Sequence, residues 1–238
     1  MPSAKDILSS DPQTKTIQYE YESDAKVDGF NKFMVVEKDG LSAFDKIFPV
    51  GSTHEQVKIL CLLNTQATAE YILALPERFP ALREFKWIDS HGTNIKELNV
   101  DEEKAKLWEN VAIFEEEDSY GISEKILENN GFLNLTKLSV DYYYDKDTNG
   151  KLLIKHLDKA PILKEFKVVD MEMSLSDLAL LTKNAKKLET LHLSNITHSK
   201  DNEKVDAIVA ENLKQLKLGD MKREDMMLGF KLKLSPPW

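Results

Sequence analysis

Few residues in this chain have the type and spacing for covalent or metal chemistry. Asp145, Asp147 and Asn149, followed by Gly150, carry oxygen donors at the spacing that opens a calcium loop. The glutamate that would close such a loop is replaced by His156, so a turn opening the next helix is expected there and no metal. The five histidines, His54, His91, His156, His192 and His198, lack the short spacings of a metal site. Cys61 lies on an expected strand within an apolar run, which fits an inert thiol better than a nucleophile. There is no phosphate-binding glycine loop, dinucleotide fingerprint or nucleophile elbow. Neither an enzyme nor a cofactor is expected.

The elements that would carry a binding function are easier to read. The 238 residues hold 32 Lys+Arg against 41 Asp+Glu, a formal charge of −9, which argues against general nucleic-acid binding. A single cysteine leaves no disulfide framework. The opening residues lack the pattern of a signal peptide, and no apolar run approaches the ~20 residues that span a bilayer. A cytoplasmic or nuclear protein without a membrane partner is expected. With only nine glycines, the chain must make its turns with other residues.

An internal repeat supplies them. Leu188-Glu-Thr-Leu191-His-Leu193 and Leu213-Lys-Gln-Leu216-Lys-Leu218 share the pattern L-x-x-L-x-L. Related segments start at Phe30, Val57, Leu82, Trp108, Leu135 and Leu163, giving eight copies of about 26 residues. The residue seven places after each start is Glu37, Asn64, Asp89, Glu115, Tyr142, Asp170, Asn195 or Asp220. Side-chain oxygens there can turn the chain after each strand. Amphipathic helix patterns lie between the copies, over Thr68–Leu75, Ser123–Asn130, Lys151–Lys159, Ser174–Lys186 and Lys200–Glu211. Ser174 with Asp177 reads as a capping box.

Strand, polar turn and returning helix, repeated eight times, resemble a leucine-rich repeat solenoid. One unit cannot bury both its strand leucines and its helix stripe, so neighbours must stack. The expected fold is an α/β horseshoe with a parallel sheet on the concave face and helices on the convex face. Residues 1–29 are expected to form an N-terminal cap with an edge strand around Ile17, Tyr19 and Tyr21. The repeats fill 30–221, and a cap strand through Phe230, Leu232 and Leu234 lies in 222–238 ahead of Pro236 and Pro237. Phe79-Pro80-Ala-Leu82 and Ala160-Pro161-Ile-Leu163 are similar to the seam of F-box/leucine-rich-repeat proteins. That resemblance implies the substrate-recognition part of a ubiquitin ligase receptor. The seam cysteine is Phe79 and Ala160 here, and Met1–Gly29 is too short and polar for an F-box. A stand-alone adaptor or inhibitor is the other reading.

Residues between the strand leucines should face the concave side. An apolar patch is expected from Met34, Ile59, Cys61, Leu63, Ile88 and Phe114, either as a docking surface or beneath another segment. A lysine-rich patch follows from Lys137, Lys164, Lys167, His192, Lys214 and Lys217, suited to an acidic or phosphorylated peptide. Tyr142 and Tyr143 stand at the rim after the fifth strand, as possible contact residues, although at least one of the tyrosines there should pack into the core. The partner expected is therefore a protein or peptide on the concave face.

Overall fold

The computed structural model describes residues 14–18, 30–37, 40–88, 91–92, 100–117, 121–142, 151–198, 208–219 and 232–234. Tyr143, Tyr144, Asp89, Asp220, Phe230, Pro236, Pro237 and the acidic turn Asp145–Gly150 lie outside these residues. Nine strands form one sheet in chain order: β1 (Thr14–Gln18), β2 (Lys32–Val36), β3 (Ile59–Leu63), β4 (Glu84–Ile88), β5 (Ile113–Glu116), β6 (Lys137–Asp141), β7 (Glu165–Val169), β8 (Thr190–Ser194) and β9 (Gln215–Gly219). Every neighbouring pair is parallel. The returning segments carry α1 (Ser42–Ile47), α2 (Ala69–Leu73), α3 (Leu75–Arg78), α4 (Glu102–Lys106), α5 (Ile122–Glu128), α6 (Lys151–Lys155) and α7 (Leu175–Asn184). The chain is an α/β leucine-rich-repeat solenoid.

A turn built the same way precedes each strand from β3 onward. The N–H of Val57, Leu82, Val111, Leu135, Leu163, Leu188 and Leu213 each donates to the carbonyl three residues earlier. The next two N–H groups then share one carbonyl of the preceding repeat. Arg83 and Glu84 donate to Lys58 O, Thr136 and Lys137 to Ala112 O, and Lys214 and Gln215 to Glu189 O. Two donors on one acceptor fix the stagger between repeats at the entrance of each strand. Three side-chain amides reinforce the stitch: Asn134, Asn184 and Asn212 donate Nδ2 to carbonyls of Glu109, Ile154 and Lys186 at 2.9, 3.0 and 2.6 Å.

These turns correct the reading of the fourth repeat. It starts at Val111, not Trp108, since Val111 N donates to Trp108 O as Leu82 N does to Phe79 O. Trp108 therefore occupies the position of Phe79, Phe132, Ala160, Ala185 and Ala210, all buried in the core. Hydrophobic residues three apart allow the motif to be laid on the sequence in either frame, and packing selects one. Trp108 sits 5.2 to 6.4 Å, ring to ring, from Phe85, Phe114 and Phe132, and its indole N–H donates to Leu73 O. Phe114 pairs in register with Phe85 and Leu138 and is fully buried, so it belongs to the core and not to the concave face.

The expected polar turns form at Asn64, Asp170 and Asn195, but not at Glu115, which the corrected frame places within β5. Asn64, Asp170 and Asn195 have φ of 53°, 56° and 49°, the left-handed region that short polar side chains tolerate. Asn195 Nδ2 also donates to Asp170 Oδ1 in the adjacent turn. Glutamates act differently. Glu37 accepts hydrogen bonds from the N–H groups of Ala43 and Phe44 at the start of α1. The fully buried Glu116 accepts from Ser123 Oγ at 2.6 Å and Ser123 N at 3.3 Å at the start of α5. Carboxylates at helix starts satisfy donors that have no partner within the helix. The Ser174–Asp177 capping box opens α7 as expected. Gly131 is required by packing, since a Cβ there would lie 2.3 Å from Ile126 Cγ2 and 2.4 Å from Ala105 O.

Two expectations at the C-terminal end change. Ile208–Ala210 is a strand, not the end of a helix over Lys200–Glu211. Leu232–Leu234 pairs with it in parallel, so it does not cap the edge of the main sheet at β9. A run of three apolar residues is too short for periodicity to separate helix from strand. Burial beside α7 supplied the deciding contact. The fourth-repeat frame has a direct test by urea unfolding. Phe114→Ala is expected to lower stability by about 3–5 kcal/mol, as for a buried aromatic, whereas Ile113→Ala is expected to lower it by less than about 1.5 kcal/mol. Equal effects would restore the alternative frame.

Candidate protein-binding face

The register lays the concave residues out in rows across the strands. The middle row runs Met34, Cys61, Lys86, Glu115, Ser139, Lys167, His192 and Lys217. Beside it run Lys32, Ile59, Glu84, Ile113, Lys137, Glu165, Thr190 and Gln215. The face divides into three zones.

The first zone, over β2 to β4, is apolar and closed. Met34, Cys61, Leu63 and Ile88 form a buried cluster separate from the main core, with Val36 packed against it. The exposed apolar docking surface expected from these residues is therefore absent, and only Ile59 is half-exposed. Burial drives the Cys61 thiol to a pKa of about 12, so it stays protonated and is a poor nucleophile.

The second zone, over β4 to β7, is charged, with two lysines paired to three glutamates. Lys86 Nζ lies 3.1 Å from Glu84 and 3.2 Å from Glu115, and Lys137 Nζ lies 3.2 Å from Glu115 and 3.6 Å from Glu165. Burial opposes the charge on Lys86, but Glu115 and Glu84 outweigh it and hold the pKa above the usual lysine value. Burial likewise opposes ionisation of Glu115, and Lys86 with Lys137 hold its pKa below the usual value. Glu115 became a face residue only through the corrected frame of repeat four. Lys137, expected to meet a partner, is paired within the chain.

The third zone, over β7 to β9, is basic and open. Lys167, His192 and Lys217 stand in register on adjacent strands, each half-buried. Among the described residues, no carboxylate is ion-paired with Lys167 or Lys217. Burial lowers the pKa of His192, and the positive charges of Lys167 and Lys217 lower it further against the opposing pull of Glu165. Lys164 and Lys214 lie apart from this row, at the strand entrances. Both reach Glu189, at 3.8 and 2.9 Å. The expected lysine-rich patch thus separates into Lys137, Lys164 and Lys214, paired with glutamates, and Lys167 and Lys217, which have no ion pair among the described residues. Tyr142 is buried, donating its hydroxyl to Glu124 Oε1 at 2.8 Å, and is not a rim contact.

Chemistry finds little support on the described surface. No three His, Cys, Asp or Glu residues among those described could hold a metal ion together. Ser52 Oγ lies 2.8 Å from His54 Nε2, but the hydroxyl donates to Pro49 O at 2.5 Å, so the ring donates to the serine and does not take its proton. No described helix is long and apolar enough to cross a membrane.

No protein-family model matches the sequence, and no curated protein matches it. Solved structures resemble the chain weakly, two among them as follows. One is a protein of Bacteroides fragilis, 16% identical, covering 74% of this chain at a TM-score of 0.44. The chain spans 62% of that protein's length. The other is an internalin from Listeria monocytogenes, 9% identical, covering 88% of this chain and 68% of its own at a TM-score of 0.41. The solenoid assignment rests on the strand order and repeated turns, not on these likenesses.

The Glu115 network carries a pH signature. Its depressed folded pKa means the stabilisation is complete at neutral pH and is lost as pH falls below the usual glutamate range through the folded value. Glu115→Gln is expected to lower stability by about 1–3 kcal/mol at pH 7. The gap from wild type should shrink on acidification below about pH 4. Urea midpoints across pH measure it, and a gap independent of pH would remove Glu115 as the charge centre.

Proposed function

We propose that this protein is a non-enzymatic binding module that takes an acidic segment of another protein on the C-terminal third of its concave face. The observation that carries this reading is the row Lys167–His192–Lys217, whose two lysines are half-buried and have no ion pair among the described residues, beside a zone whose lysines are paired with glutamates. An acidic chain laid across the strands meets these groups in succession, and opposite charge steers its approach. The closed apolar zone restricts the seat to this end. The reading includes a cytoplasmic or nuclear setting, supported by the single, buried and protonated cysteine.

Two settings fit such a face. The recognition part of an F-box-type ubiquitin ligase receptor is favoured by the Pro80 and Pro161 seam, whose neighbours Phe79 and Ala160 are buried at the equivalent turn. A stand-alone adaptor or inhibitor needs only the face. An F-box encoded with the native chain distinguishes the two.

The binding reading is tested by two charge reversals against a fluorescent hexaglutamate peptide. Lys167→Glu with Lys217→Glu is expected to weaken binding at least tenfold and flatten its salt dependence. Lys164→Glu with Lys214→Glu, which acts on lysines already paired with Glu189, is expected to change affinity by less than about threefold, the range of an exposed ion pair. Equal effects of the two reversals, or none from either, would overturn the proposed seat.

A further inference from the structure

We infer that the basic row contains a phosphoryl seat, so that the segment bound there carries a phosphoserine or phosphothreonine; this rests on the binding face proposed above. The geometry lies at Gly219, the last residue of β9. It pairs in register with Ser194, one strand over, and Lys217 pairs with His192. A methyl group placed on Gly219 would come 3.0 Å from Ser194 Oγ and 3.5 Å from His192 Nε2. The hydroxyl and the imidazole nitrogen thus border a shallow niche too tight for a methyl group, over which a ligand oxygen would sit. Gly219 has an ordinary φ, so the backbone does not call for glycine there. Glycine is distinguished there by keeping the Ser194 hydroxyl and the His192 ring uncrowded.

The donors around this niche suit a phosphomonoester better than a carboxylate. Lys167 and Lys217 stand one strand either side of His192, about 4.8 Å away per step, close enough for their long side chains to converge over it. Two ammonium groups, a ring N–H and a hydroxyl supply donors from several directions, as a tetrahedral dianion with three acceptor oxygens requires. A planar carboxylate uses fewer of them. Among the described residues the facing carboxylate is Glu165 of β7, which is 3.6 Å from Lys137. Lys167 and Lys217 face the ring from β7 and β9, and both disfavour its protonation. A bound dianion reverses that balance, so binding and protonation of His192 favour each other. Affinity should rise as pH falls from about 7.5 to 6.5, before the phosphate loses its second charge near pH 6.

The test uses the full chain and three blocked peptides identical but for one residue: phosphoserine, glutamate or serine between Gly-Ala and Ala-Gly. NMR follows the His192 ring, and titration gives Kd. The phosphoserine peptide is expected to bind at least tenfold tighter than the glutamate peptide and to raise the His192 pKa by about one unit. Ser194→Ala and Gly219→Ala are each expected to weaken it at least fivefold while hexaglutamate affinity stays within twofold. Ser194→Ala removes atoms only, so it tests the niche even if Gly219→Ala perturbs β9. Equal affinity for phosphoserine and glutamate, or no loss in Ser194→Ala, would overturn the phosphoryl seat, and retained hexaglutamate binding would then leave the wider face standing. Loss of both kinds of binding from the wild-type protein would overturn the two together.

Discussion

Two N–H groups converging on one carbonyl of the preceding repeat set the register on which this solenoid depends. The turn before each strand presents those donors, and the same acceptor geometry recurs from β3 to β9. Because side chains alternate along a strand, a shift of one residue would exchange the core and concave faces. The stitch prevents that shift before the hydrophobic side chains are asked to choose. It also explains how spacing between repeats can vary: extra residues are absorbed in the returning segments, while the turn and strand stay constant.

The buried position three residues before each start shows how the core adapts to that constancy. In the first half it holds Phe79, Trp108 and Phe132, whose rings fill the space beneath short helices. In the second half it holds Ala160, Ala185 and Ala210, and the longer α7 fills the space with Leu178 and Leu181. A large ring beside short helices, as at Phe79, and a small residue beside the ten-residue α7, as at Ala185, both give close packing. The fixed register then brings Lys86 and Lys137 to Glu115 on the opposite face, so the stitching that builds the core also decides which charges cancel.

Much of this was legible in the sequence because the repeat is a physical unit. The strand motif located eight of the nine sheet strands, and Asn64, Asp170 and Asn195 marked left-handed turns from residue type alone. The missed features share one cause: each depends on a neighbour outside its own strand motif. Trp108 imitates a strand start because its spacing to Val111 matches the motif, and only its contact with Phe85 and Phe132 reveals the seam. Met34, Cys61, Leu63 and Ile88 alternate as an exposed face would, yet they are covered. Lys164 and Lys214 look like free cations until register brings Glu189 between them. Glu116 sits at a position filled by Val, Leu or Trp in other repeats, and its role emerges only with Ser123 at the start of α5.

The location of the open basic zone follows from where the solenoid thins. Leu216 on β9 is only half-buried, and Leu218 is 40% exposed although it aligns with the fully buried Leu193. β9 therefore gains less from apolar burial than the inner strands, and local opening free energy falls toward such an end. A ligand held jointly by Lys167, His192 and Lys217 spans three strands. It binds well only while β7, β8 and β9 keep their register, so its binding energy adds to the pairing of the terminal strand. The same lysines repel one another and His192 when the face is empty. Under the proposed reading, that repulsion at the thin end couples occupancy to order where apolar burial is least, and leaves the stitched and aromatic-packed repeats to hold the rest of the face in place.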